Sequence, residues 1–214
     1  MTRAVLNGRA AGGMLAVVLM VGGCATERGE PARVTTRAVT SMQETRQELV
    51  WAGQQVDEMV SAMDRLAKTS DDLPQAYRAF VNEVSDAADQ TQKARRRAQE
   101  MQSRWREYLL SWERESERIV SPELRAGAAQ RREAVREHYN RLRDAAVAVD
   151  IAYQPFIRQL RDIQRALSLD LTPAGVEAAQ PAFEVARKSA ADLKEQLEAF
   201  VAELADVSAA TPAA

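Results

Sequence analysis

The chain has 214 residues, 29 Lys+Arg against 31 Asp+Glu, one His and one Cys. Alanine supplies 39 residues, isoleucine only four and aromatics 5%, a mix that suits long helices and gives a β-sheet little to work with. The single cysteine excludes an intramolecular disulfide framework or a Cys-rich zinc centre, and the single histidine excludes a multi-His metal site.

Residues 1–23 read as a secretory signal. Arg3 and Arg9 form a basic n-region, and the apolar run from Ala10 to Val21 is too short to span a bilayer. The segment Val21-Gly22-Gly23-Cys24 resembles the lipobox of bacterial lipoproteins. That resemblance implies cleavage before Cys24, a diacylglycerol on its sulfur and an acylated amino terminus, so that several acyl chains hold the protein to a membrane. By the lipoprotein sorting rule, Ala25 at the next position implies the outer membrane, on the periplasmic side of the envelope. Cleavage removes two arginines and no acids, leaving 27 basic against 31 acidic residues. This mildly acidic balance gives no reason to expect nucleic acid as a partner. Residues 24–33, with Gly29 and Pro31, read as a flexible tether, and residues 208–214 as a disordered tail.

Six of the nine glycines lie in the first 29 residues, so prolines supply the later punctuation. Asp72-Leu73-Pro74, Ser121-Pro122 and Thr172-Pro173 each set a capping side chain beside a proline tolerated in a first helical turn. Three such restarts predict four long helices, over about 34–68, 74–120, 122–167 and 173–207. The first carries an apolar stripe through Met42, Leu49, Val56 and Met63, the second through Tyr77, Val84, Thr91, Ala98, Trp105, Leu109 and Trp112. The third carries Leu124, Ala128, Leu142, Phe156, Ile163 and Leu167, the fourth an almost unbroken register from Phe183 to Val207. The expected fold is all-α, an elongated antiparallel bundle with an alanine-rich core over residues 34–207. Pro155 and Pro181 should each kink or interrupt a helix. Leu167, Leu169 and Leu171 should tuck into the bundle end.

Few side chains suggest chemistry. Lys93, Arg95, Arg96 and Arg97 form the densest basic run; a polyanion would suit it, but nearby acids favour a solvated face with Arg95 paired to a neighbouring helix. Trp105, Tyr108 and Trp112 concentrate large apolar groups that suit a docking patch, although 105, 109 and 112 fit the core register. Trp51 lies off its stripe and is the better surface-contact candidate. His138 has no Cys partner and reads as a core-edge histidine rather than a base. No Gly-rich phosphate loop, GxSxG or HExxH occurs, so no catalytic residue, metal or cofactor is expected.

Trp112-Glu113-Arg114-Glu115, Leu124-Arg125 after Ser121-Pro122, Tyr139, Pro155-Phe156-Ile157 and the leucine-rich stretch at 167–171 are similar to a family of bacterial helical proteins described only as a domain of unknown function. The similarity covers about residues 36–205 and implies a fold rather than a mechanism. The expected role is a non-enzymatic envelope scaffold, spacer or adaptor. It would engage an envelope protein or a second copy through coiled-coil surfaces. The alternative is a binding module for a lipid or other hydrophobic ligand between helices, in a pocket lined by Trp105, Trp112 and Phe156.

Overall fold

The computed structural model describes residues 30–68 and 72–210 and is all-α, with no strand among them. There are four long helices, α1 (Glu30–Lys68), α2 (Leu73–Glu117), α3 (Pro122–Leu169) and α5 (Gln180–Ala210), with a six-residue helix, α4 (Pro173–Ala178), between the last two. The signal segment, Cys24 and residues 211–214 lie outside the described residues. Glu30 to Arg33, expected in the tether, and Ser208 to Ala210, expected in the tail, are helical.

The three restarts fall where capping chemistry places them. Asp72 Oδ1 accepts from the Gln75 amide at 3.1 Å, Ser121 Oγ from Leu124 at 3.3 Å, and Thr172 Oγ1 from Gly175 at 3.1 Å. Each satisfies one of the free amides of a first turn, and a proline occupies a position where no amide is missed. Pro181 interrupts the last helix: it has no N–H for the Glu177 carbonyl, and the chain turns at Ala179 before α5 begins. Pro155 does not end α3, which runs through it. The carbonyl it cannot serve belongs to Ile151, two-thirds exposed, where water is at hand.

α1 packs on α2 and α5, and α3 packs on the same two, giving a four-cornered antiparallel bundle. Polar pairs fix the register across the seams. Arg187 reaches Asp64 at 2.8 Å and Lys194 reaches Asp57 at 2.7 Å from α5 to α1. Arg141 meets Glu203 at 2.7 Å, and the Tyr77 hydroxyl donates to the Gln164 carbonyl at 2.9 Å. Such half-exposed pairs contribute little free energy each, and the core carries the stability.

The core includes Met42, Met63, Phe80, Phe156, Leu160, Phe183, Phe200 and Leu204, all fully or almost fully buried. The predicted α5 register holds at every position from Phe183 to Val207. In α2 it does not: Phe80, Ala87 and Tyr108 are buried, whereas Tyr77 and Leu109 are only half-buried. Leu124 is exposed rather than buried, and Leu169 projects from the end of α3 instead of tucking in; of the three loop leucines only Leu167 is fully buried.

Arg97 pairs with Glu44 at 3.5 Å, which sets Glu30 level with about residue 111 of α2. The start of α1 and the α2–α3 turn therefore share one end, and α2 continues about 9 Å beyond α1. At this tip Val120 is 88% and Leu124 66% exposed. Within α1, a Cβ on Gly53 would meet nothing within 4 Å. Gly53→Ala should therefore raise the unfolding free energy by about 0.5–1 kcal/mol, read by urea denaturation, by lowering the entropy of the unfolded chain.

Candidate functional site

Midway along the bundle the core side chains shrink. From Phe80 to Met101, α2 presents Val84, Ala87, Thr91, Ala94 and Ala98 at successive core positions, opposite Ala52 and Val56 of α1 and Ala146 and Val149 of α3. Four helices spaced by the larger Met, Phe and Leu above and below cannot collapse onto these small groups. What remains is an apolar cavity of about 110 Å³, closed on the α5 side by Leu193, Leu197 and Phe200.

The cavity has a polar rim. Arg95 of α2 is ion-paired with Asp150 of α3 at its edge, beside Glu48 and Gln55 of α1. The Thr91 hydroxyl is already committed, donating to the Ala87 carbonyl at 2.9 Å. Gln90 is different: its Oε1 is buried and has no hydrogen-bond partner among the described residues. Tyr153 also lines the space, and Trp51 stands between the cavity and a shallow groove formed with Gln47, Gln54 and Lys93.

Of the aromatic candidates, Trp51 alone reaches this site. Trp105 is fully buried, Tyr108 is 7% exposed, and Trp112 is half-buried. They form an edge-to-face ladder, with ring centroids 5.3 Å apart for Trp105–Tyr108 and 5.6 Å for Tyr108–Trp112. Burial pushes the Tyr108 hydroxyl above its ordinary range, keeping it neutral. The expected pocket of Trp105, Trp112 and Phe156 is not the one found, since none of the three lines the cavity.

The basic run is divided between neighbours: Arg95 pairs with Asp150, and Arg97 bridges Glu44 and Glu100 at 3.5 and 3.2 Å. His138 is half-buried beside the Arg141 guanidinium. Among the described residues no three His, Cys, Asp or Glu side chains converge as a metal site, and no helix is long and apolar enough to cross a membrane. The cavity residues Ala94, Ala146, Gln90 and Tyr153 drew no attention in the sequence. The available signal was a run of small residues at consecutive core positions of α2.

Residues 31–208 match a family model described as "Protein of unknown function (DUF2959)", a span close to the 36–205 anticipated from motifs. No curated protein and no solved structure matches the chain.

Proposed function

The chain belongs to the DUF2959 family, and we propose that this member is a lipid-tethered spacer or adaptor of the bacterial cell envelope. It is non-enzymatic, anchored through Cys24 on the periplasmic face of the outer membrane. Its helical faces engage an envelope protein or a second copy of the chain.

One observation carries this reading: α1 starts at the end of the bundle that bears the α2–α3 tip. Only residues 25–29 separate Cys24 from α1, a reach of at most about 20 Å. An acylated Cys24 therefore brings the tip, with its bare Val120 and Leu124, against the bilayer. The opposite end, marked by Leu169, then projects about 70 Å away along the 48 residues of α3.

The only native thiol makes the test direct. In full-length protein extracted from membranes, Val120→Cys should show one maleimide-reactive thiol, because the Cys24 sulfur is blocked. After reconstitution, a fluorophore at position 120 should be quenched by headgroup-level nitroxide lipids, and one at Leu169→Cys should not. Two reactive thiols would refute the anchor. Equal quenching at both positions would refute the upright orientation while leaving the anchor standing.

A further inference from the structure

We propose that the outward face of α1 is a pairing surface for a second copy of the chain, with the two α1 helices parallel and in register on one membrane. The inference rests on the Cys24 anchor proposed above and commits to one of its two partners.

α1 packs on α2 and α5, so its remaining side faces away from the bundle. Thr36, Thr40, Gln43, Gln47, Val50 and Gln54 all lie exposed on that side. Their spacing alternates between four and three residues, the repeat of a coiled-coil seam. None of the six is charged. The next position in the repeat is Asp57, which Lys194 of α5 holds at 2.7 Å. The outer faces of neighbouring helices are different: α2 presents Asp86, Lys93 and Glu100, and α5 presents Lys188, Asp192 and Glu195.

Charge and the tether together select the occupant. In a parallel, in-register pair each seam residue meets its own copy, so a charge there would repel itself. An uncharged stripe avoids that, and facing glutamine amides can donate to and accept from one another. Two chains anchored in one membrane also enter α1 in the same direction. The five residues between Cys24 and Glu30 hold both starts within about 20 Å of the surface, which limits axial slippage. The flanks agree. In this register Val39 of one chain comes opposite Glu44 of the other, and Arg46 opposite Trp51, a cation beside an aromatic ring. No like charges meet. The rival surface is Val147 and Ile151 on α3, with Asp144 and Arg158 one heptad to either side of Ile151. A parallel pair there would set each of those charges against its own copy. The α1 seam from Thr36 to Gln54 is about 27 Å long and mostly polar, so it is weak between free molecules. Confinement to one membrane supplies the effective concentration that populates it.

The test uses the full-length acylated chain in vesicles, with single added cysteines oxidised by copper phenanthroline while Cys24 is blocked. Gln47→Cys should give at least about five times more disulfide-linked dimer than Ile151→Cys on α3. Thr40→Cys and Gln54→Cys should each link to themselves as well, because the helices are parallel. Adding Val50→Glu to the Gln47→Cys chain sets two carboxylates face to face and should cut its dimer at least about fivefold. Circular dichroism checks folding, and Val50→Lys replaces Val50→Glu if that variant loses helix. A chain that floats with the vesicles but links no better at 47 than at 151 overturns the pairing and leaves the anchor standing. Links at 47 without links at 40 and 54 mean an antiparallel crossing and overturn it equally, as does linking that survives the charge at position 50. A chain that does not float overturns the anchor, and the pairing with it.

Discussion

Trp105→Ala should lower the unfolding free energy by about 3–5 kcal/mol, and Trp105→Phe by only about 1 kcal/mol. Trp105 has no exposed surface and stacks edge-on against Tyr108 at 86° between ring planes. Removing it deletes the largest fully buried side chain and unseats one end of the aromatic ladder. Phenylalanine restores most of the ring contact. It also removes a liability: the indole Nε1 is buried with no acceptor among the described residues, and such an orphaned donor costs roughly 1–3 kcal/mol. In a chain of this length each kcal/mol moves the melting midpoint by about 2–4 °C, so Trp105→Ala should fall by roughly 6–20 °C. Equal losses in the two variants would show that the indole N–H is satisfied after all.

Gly175→Ala should cost about 2–3 kcal/mol, opposite in sign to Gly53→Ala in the same urea titration. A Cβ built on Gly175 would lie 2.2 Å from the Asp170 carbonyl oxygen and 3.0 Å from its side-chain carbon. The backbone cannot yield cheaply there. Thr172 Oγ1 donates to Asp170 Oδ1 at 2.8 Å and accepts from the Gly175 amide at 3.1 Å, so residues 170, 172 and 175 form one knot. Moving Asp170 to admit a methyl group loosens the cap of α4 and the seat of Val176, 5% exposed. A neutral Gly175→Ala would mean that the α3–α4 turn relaxes freely.

The long helices were legible because their punctuation is local: Asp72, Ser121 and Thr172 act within three residues of themselves. The α5 register was legible because its core positions are large and evenly spaced. The α2 register was not. A stripe drawn through Leu109 and one drawn through Tyr108 both keep helical spacing, and only the packing of neighbouring helices selects Tyr108. Leu124 and Leu169 misled for a related reason: hydrophobicity alone does not reveal that the bundle has run out of partners at its ends. The cavity was hidden because it is made by what is missing. Ala94 and Ala146 attract no notice singly, and only the distance held open between four helices turns them into a site. The Arg95 ion pair was anticipated as a class, but the identity of Asp150, 55 residues away, required the fold.

The corner between α1 and α5 has a temporal meaning. Three of the four seams join helices that follow one another along the chain, so their contacts form by closing short loops. The fourth joins the first helix to the last, with Asp64 and Arg187 separated by 123 residues and Asp57 and Lys194 by 137. A chain emerging amino terminus first must hold the exposed flank of α1 unpaired until α5 has been made. The ring closes late, and the α5 end of the sequence decides when.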